Sequence, residues 1–262
     1  TDVQPDVRDA LRLSVYEIIF LNKTPHAAVD QGVELVRSFA PRAAGLANAV
    51  LRKVVALRAS FPFGDPTRDV EALARLHAFP VWLARKLVLD LGPQAALDFM
   101  RASNEPAPLF VAANAAKADE AVMAAAFAKA GESTQPVEID GVPVPGCLRV
   151  KDNRALLLPQ VKQLFVQGKI LVSDAASQLV AASVLPQNKP ASLLEVGAGR
   201  ATKTILLQSA AQRTWGSQIE SYVTLDNHGF KTKLLLERAE RYGSCVSEAL
   251  TGDALALGNV VR

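Results

Sequence analysis

One stretch constrains the fold of this chain more than any other: an apolar run that leads into a glycine turn and then into a helical pattern. Residues 193–196 (LLEV) form the run, Gly197 and Gly199 define the turn, and apolar residues at helical spacing resume at Ile205. This order predicts a buried parallel strand, a tight loop and a helix N-terminus, as in an α/β fold. The glycines allow the sharp turn and let a ligand approach the backbone closely. Free amides in the first helical turn then favour a ligand that carries an anionic group.

Two acids follow this turn at the ends of later apolar runs. Asp226 closes the run at residues 223–225, and Asp253 follows Gly252 at the end of a third segment. A dinucleotide-binding unit has a third glycine and an acid about 20 residues further on. Here Thr202 stands at the third glycine position and Asp226 comes later than that spacing. We therefore expect an adenosine-shaped ligand, with Asp226 on the ribose diol and Asp253 accepting from the adenine amino group. An NAD-dependent enzyme is the weaker alternative.

Composition excludes several classes of protein. The chain has 262 residues, half of them hydrophobic, and a formal charge of only +3, so charge alone does not indicate nucleic acid. Cys147 and Cys245 match no metal spacing and indicate a reducing compartment without a disulfide framework. No signal peptide opens the chain and no uncharged apolar run reaches about 18 residues. We expect a cytoplasmic protein with no membrane association and no metal.

The first hundred residues are predicted to be entirely helical. Apolar residues at helical spacing predict a bundle of three helices in the first sixty, with breaks at residues 22–25 and at Pro41. Thr24 is expected to cap the second helix, with Pro25 in its first turn. Three further helices are predicted at residues 70–77, 81–91 and 93–102, between proline-containing loops at 61–66 and 104–108.

The pattern changes after residue 108. Residues 109–113 are predicted to be a strand, 119–129 a helix, and short strands with Pro and Gly punctuation run to about residue 150. This is a small α+β module, which we interpret as β-α-β-β. Residues 170–172 form an apolar run, and Ser173 and Asp174 are expected to cap the helix that follows.

Several of these segments resemble known families. Residues 12–21 (RLSVYEIIFL), 25–29 (PHAAV) and 44–52 (AGLANAVLR) resemble a NusB-like RNA-binding domain. Residues 172–179 (VSDAASQL) resemble the V-Q-D-x-A-S-Q-L signature that precedes the core of the Sun/Fmu ribosomal RNA cytosine-C5 methyltransferases. Residues 104–106 (NEP) and the α+β module lie where that family has N-E-P-P and an RRM-like segment.

The resemblance implies a mixed fold in three domains. Residues 1–62 would be a NusB-like helical RNA-binding domain, with an N-terminal truncation left open. Residues 63–168 would be a helical linker plus the small α+β (RRM-like) module. Residues 169–262 would be the N-terminal half of a Rossmann-like α/β methyltransferase core.

The resemblance also implies the cofactor, S-adenosylmethionine. The family's loop reads D-x-C-A-A-P-G-G-K-T, and here Glu195 stands at the first acid. The loss of the tandem glycines is expected to crowd the cofactor, which leaves a degenerate site as an alternative. Lys203 would approach the methionine carboxylate. The implied cofactor-binding residues are Gly197, Ala198, Gly199, Arg200, Ala201, Lys203, Asp226 and Asp253.

The family's catalytic cysteines have no counterpart here. Methylation of cytosine at C5 needs a cysteine thiolate that adds at C6 and makes C5 nucleophilic. The family has these cysteines in P-C and T-C motifs, which would lie beyond Arg262, and neither Cys147 nor Cys245 is at such a position. The resemblance therefore implies an enzyme of 16S ribosomal RNA, present here as a fragment that is inactive alone.

A parallel sheet of only three strands is expected to expose an apolar edge. We therefore expect the fragment either to associate with itself or another chain, or to be poorly ordered after Asp226.

RNA is the expected partner, and this expectation rests more on the family resemblance than on individual residues. A phosphate-binding face is expected from basic side chains of the helical domain. The rival interpretation is a non-catalytic RNA-binding protein with a degenerate methyltransferase core. The basic residues are Arg8, Arg12, Arg42, Arg52, Lys53 and Arg58.

Overall fold

The computed structural model describes residues 3–21 and 23–259, so the predicted break at Asn22 and the chain end at Arg262 lie outside it. The chain divides into two compact units, Thr1–Pro106 and Ala107–Arg262. Helices fill the first unit and mixed α and β structure fills the second, which confirms the predicted fold class. The bounds of the three domains drawn from the sequence stay a prediction. Within the described ranges no helix is long and apolar enough to cross a membrane.

The first unit is helical throughout its described part. A hydrophobic core joins its first three helices, and Ile18, Val36 and Leu51 are completely buried there. The Thr24 side chain makes no capping hydrogen bond, contrary to expectation, and the second helix begins instead with Pro25, whose fixed φ suits the first turn. The helices are α1 (Pro5–Ile19), α2 (Pro25–Phe39), α3 (Ala44–Leu57), α4 (Val70–Leu76), α5 (Val81–Leu91) and α6 (Pro93–Ser103).

The second unit begins with a four-stranded antiparallel sheet in the order β2-β3-β1-β4. Two helices pack on one face through Val111, Phe127 and Val161. The β-α-β-β interpretation was incomplete, because the structure adds α8 and a short fourth strand that pairs with β1. The resulting βαββαβ order is RRM-like. The elements are β1 (Leu109–Ala113), α7 (Glu120–Lys129), β2 (Thr134–Ile139), β3 (Val142–Val150), α8 (Pro159–Val166) and β4 (Ile170–Val172).

The other face of this sheet is partly covered. Helix α9 (Ala175–Ser183) lies over it, and Val144 and Cys147 of β3 pack against Ala175 and Leu179. An RNA-reading RRM stacks bases on aromatic side chains of an open sheet face. The resemblance of this module to an RRM is therefore one of topology, and α9 occupies the part of this face around Val144 and Cys147.

The parallel sheet follows in the order β5-β6-β7, with α10 and α11 as its crossover helices. Tyr222, Leu225 and Ile205 are almost completely buried, whereas Leu194 and Val196 on the edge strand β5 are 40% and 50% exposed. The expected apolar edge is thus present, and self-association stays a prediction. The elements are β5 (Ser192–Val196), α10 (Thr202–Trp215), β6 (Ser221–Asp226), α11 (Gly229–Tyr242) and β7 (Glu248–Thr251).

Buried hydrogen bonds join the antiparallel module to the parallel one. The side-chain amide of Asn114, at the end of β1, donates to the carbonyls of Gly168 (2.8 Å) and Tyr242 (2.7 Å). On α10, the Ser209 hydroxyl donates to the Ala113 carbonyl at 3.1 Å. Because a buried polar group without a partner is costly, these bonds fix how the two sheets sit within the second unit.

Candidate cofactor site

The glycine loop is a tight turn fastened to the neighbouring strand. Gly197 and Gly199 adopt φ values of +76° and +60°. The amides of Gly197 and Ala198 both donate to the carbonyl of Leu225, at 2.8 and 3.1 Å. This pairing brings the carboxyl ends of β5 and β6 together, which is the edge where open α/β sheets bind ligands.

Ala201 occupies a conformation that suits glycine. Its φ is +67°, in the left-handed region, which costs a residue with a Cβ about 1–2 kcal/mol. Its side chain is completely buried in the hydrophobic core of the parallel module. The methyl group expected to crowd the cofactor therefore packs in the interior. Ala201 provides no side-chain cap for α10, so its side chain satisfies none of the first-turn amides.

Asp226 turns toward the loop. Its Oδ2 accepts from the Gly199 amide at 3.0 Å and its Oδ1 accepts from the His228 amide at 3.0 Å, with the Lys231 ammonium 3.5 Å away. The side chain is only 7% exposed. Burial alone would raise the pKa of Asp226, but these hydrogen bonds and the charge of Lys231 outweigh it and hold the pKa below its ordinary value. Asp226 is thus an ionised acceptor beside the glycine loop.

Glu195, the last acid of β5 before the turn, ties three elements together. Its Oε2 accepts from the hydroxyl groups of Thr204 on α10 (2.7 Å) and Tyr222 on β6 (2.9 Å). Burial raises the pKa of Glu195 above its ordinary value. Burial, with the Glu195 charge next in importance, also raises the pKa of the Tyr222 hydroxyl, so Tyr222 stays a donor.

The raised pKa of Glu195 predicts how the stability of the folded chain changes with pH. Because its pKa is higher in the folded chain than in the unfolded chain, the stability it contributes is fully present below its ordinary pKa of 4.5 and is lost as pH rises through the raised value. We expect Glu195→Gln to remove this fall. Urea unfolding from about pH 4 to about pH 8 measures the free energy of unfolding of both proteins. Equal pH slopes in the two proteins would contradict the assignment.

Lys203 points toward α9. Its ammonium donates to the Ser177 hydroxyl at 2.7 Å. The Asp174 carboxylate caps α9 by accepting from the Ser177 amide at 2.7 Å, which confirms the predicted cap. That amide bond chiefly, and the Lys203 charge to a lesser degree, hold the pKa of Asp174 below its ordinary value. The approach of Lys203 to a methionine carboxylate stays a prediction.

The remaining predicted cofactor residues are less constrained. The Arg200 side chain is exposed, while its backbone carbonyl accepts from Nη1 of Arg238 at 2.7 Å. Asp253 is exposed two residues after β7, where its Oδ1 accepts from the Leu255 amide at 2.9 Å. The preceding Gly252 amide donates to the Asp226 carbonyl at 3.1 Å, so Asp226 at the end of β6 and Asp253 after β7 belong to strands that end side by side.

The predicted RNA-binding residues are spread over α1, α3 and the 3-10 turns before and after α3, with Arg58 in the second of these turns. On α1, Arg12 lies 3.0 Å from Asp9 and Arg8 lies 3.9 Å from the same carboxylate. On α3, Nε of Arg52 donates to Asn48 at 2.9 Å. Arg8, Arg12, Arg42, Arg52 and Lys53 are all exposed. Their role in RNA binding stays a prediction.

The chain is similar to known proteins along most of its length. The NusB family matches residues 1–56. The chain is 28% identical over 261 residues to the "Probable ribosomal RNA small subunit methyltransferase B" of Bacillus subtilis (strain 168), covering 98% of this chain and 54% of that protein. It is also 28% identical over 246 residues to the "Ribosomal RNA small subunit methyltransferase B" of Vibrio cholerae serotype O1, covering 92% and 51%. This similarity supports the resemblance to the Sun/Fmu family. It spans about half the length of these curated relatives.

Solved structures share the fold. The crystal structure of PH0851 has a TM-score of 0.71 at 22% identity, covering 95% of this chain and 53% of that one. The structure of NSun6 from Pyrococcus horikoshii with SFG has a TM-score of 0.55 at 14% identity, covering 70% and 68%. At these identities the likeness concerns the fold alone.

Three residues that contact this loop or its neighbours were not predicted from the sequence. Ser177 lies within the quoted signature, and a hydroxyl in the apolar run of β6 was a signal for Tyr222. Arg238 gave no signal, because it contacts a loop 38 positions earlier in the chain.

Neither cysteine lies at the glycine loop. Cys147 is 1% exposed on β3 beneath α9, and burial raises the pKa of its thiol to about 12. Cys245 is exposed and precedes β7, at the amino end of the parallel strands. The loop follows the carboxyl end of β5, so this thiol lies at the opposite edge of the sheet.

This arrangement predicts unequal thiol reactivity. We expect Cys245 to react with Ellman's reagent at least about 100-fold faster than Cys147, because thiolates react and burial suppresses both ionisation and access. Absorbance kinetics give the reaction rates, and mass-spectrometric mapping assigns each rate to a cysteine. The variant Cys245→Ser should lose the fast phase, and a fast phase that persists in this variant would contradict the prediction.

Proposed function

We propose that this chain carries the RNA-docking and cofactor-binding parts of an S-adenosylmethionine-dependent ribosomal RNA (cytosine-C5) methyltransferase acting on 16S RNA. The observation that carries the proposal is the buried, ionised Asp226 bonded to the Gly199 amide where β5 and β6 end. A carboxylate beside a glycine turn is suited to a ribose diol, and open amides at a helix N-terminus are suited to a carboxylate. Two curated relatives named as small-subunit ribosomal RNA methyltransferases support the substrate.

The described residues fit S-adenosylmethionine, which would supply the methyl group. Asp226 would accept from the ribose and Asp253 from the adenine amino group. The N-terminus of α10 would receive the methionine carboxylate, assisted by Lys203. A structural neighbour crystallised with SFG, an S-adenosylmethionine analogue, supports this choice of cofactor.

Methyl transfer to C5 requires a thiolate that this site does not hold. Cytosine C5 becomes nucleophilic only after a thiolate adds at C6, and that thiol later leaves as the C5 proton is removed. Cys147 is sealed under α9 and Cys245 lies at the far edge of the sheet. We propose that residues 1–262 bind cofactor but do not methylate RNA by themselves.

One observation favours a second candidate, a non-catalytic RNA-binding protein with a degenerate core. Ala201 holds φ +67° where the family has glycine, and Arg200 precedes it. This strain would lower cofactor affinity. The two candidates differ in whether the chain binds S-adenosylmethionine.

Calorimetry on residues 1–262 separates them. We expect one S-adenosylmethionine site and no change in NADH fluorescence on titration with the chain. Tritium from labelled S-adenosylmethionine should not appear in 16S RNA. Absence of cofactor binding would favour the second candidate, an NADH response would favour a dinucleotide enzyme, and labelled RNA would refute inactivity.

A further inference from the structure

Arg238 on α11 reaches back to the glycine loop. Its Nη1 donates to the Arg200 carbonyl at 2.7 Å and lies 3.5 Å from the Thr202 hydroxyl. These two residues flank Ala201, so the guanidinium bridges the turn from one side to the other. Arg238 is partly buried. A hydrogen bond to a charged donor is stronger than one between neutral groups, and the planar guanidinium offers it in a fixed direction.

The turn that Arg238 contacts contains a residue in a strained backbone conformation. Ala201 sits at φ +67°, which glycine adopts freely and alanine does not. On the other side of the loop, the Gly199 amide is already fastened to Asp226. Between these points lies the Arg200 carbonyl, and Arg238 holds that group. The loop is therefore fastened on both sides of its tip, by a carboxylate and by a guanidinium.

We infer that Arg238 is a positioning residue for the cofactor loop, and that its hydrogen bond to Arg200 keeps Ala201 in the left-handed turn which a glycine would adopt unaided. The inference rests on the proposed cofactor site. It explains how a loop without tandem glycines holds Ala201 in the left-handed conformation. Arg238 acts through the loop backbone and is assigned no contact with the cofactor.

The first test needs no cofactor, because the peptide bond after Arg200 is itself a trypsin site. In Arg238→Ala, the Arg200 carbonyl loses its donor, and cleavage after Arg200 should be about tenfold faster, as expected when a charged hydrogen bond is lost. Arg241→Ala is the matched control, since Arg241 is an exposed arginine one turn further along α11. It should leave this cleavage rate within about twofold of the wild type.

The second test measures S-adenosylmethionine affinity by calorimetry on the same proteins. Arg238→Ala should weaken binding about tenfold and Arg241→Ala by less than about twofold. In the double variant Ala201→Gly with Arg238→Ala, glycine holds the turn by itself, so affinity should return to within about threefold of the wild type. This rescue distinguishes a hold on the turn from a general loss of stability.

The outcomes separate the inference from the proposed function. Unchanged cleavage and affinity in Arg238→Ala would overturn the inference, and so would a double variant that stays as weak as the single one. If the wild type does not bind S-adenosylmethionine, the proposed function and the cofactor role of Arg238 both fall. Faster cleavage in Arg238→Ala would then still establish the hold on the loop.

Discussion

Asp226→Ala is expected to weaken S-adenosylmethionine binding by about 100-fold or more. The change removes the charged acceptor for the ribose, and it also leaves the amides of Gly199 and His228 without their present partner. Each lost charged hydrogen bond is worth about 1.5–3 kcal/mol, and 1.4 kcal/mol is a tenfold change in affinity. Calorimetry on the wild type and the variant measures the difference.

Glu237→Ala is the control for this experiment. It removes one negative charge from an exposed position of α11. Its affinity for S-adenosylmethionine should match the wild type. A loss of less than threefold in Asp226→Ala, with the fold intact by circular dichroism, would remove the main support for the proposed cofactor site.

Asn114→Leu is expected to lower the free energy of unfolding of the second unit by about 2–4 kcal/mol. Asn114 is 2% exposed, and leucine of similar size would leave the carbonyls of Gly168 and Tyr242 without their donor in the interior. Each buried carbonyl left unpaired costs about 1–3 kcal/mol. A loss below about 1 kcal/mol would mean that these bonds do not hold the two sheets together.

The fluorescence of a single tryptophan can report the urea unfolding of the second unit alone. Trp82 in the first unit is 69% exposed, so Trp82→Phe should be tolerated and leaves Trp215 on α10 as the only tryptophan of the sequence. Asn188→Leu, an exposed asparagine in the loop before β5, is the matched control and should change stability little. Comparing the two variants in this background isolates the buried hydrogen bonds.

Local pattern predicted most of the secondary structure. Apolar spacing placed the helices of the first unit because each has one buried face, and the strand-turn-helix order placed β5 and α10. The fourth strand of the antiparallel sheet was harder to place. Ile170–Val172 spans three residues and owes its position to pairing with β1, about 60 positions earlier, which no local pattern encodes.

Some features of the candidate site could likewise be predicted from local sequence, and others could not. Gly197, Gly199 and Asp226 follow from elements that are contiguous in sequence, and the structure brings Gly199 and Asp226 together. The direction of Lys203 depends on α9, and the hold on Arg200 depends on α11. Both are contacts between elements far apart in the chain, so they required the tertiary structure.

The partial covering of the antiparallel sheet by α9 changes what that module offers to a nucleic acid. One broad side of the sheet packs against α7 and α8 and the other packs in part against α9, so that the outer helices and loops and the exposed residues of the edge strand β2 meet solvent. A strand of RNA that touches this region therefore meets mainly helical and loop surfaces. Recognition there would depend on backbone shape and phosphate charge, and the identity of individual bases would have to be read at another place on the molecule.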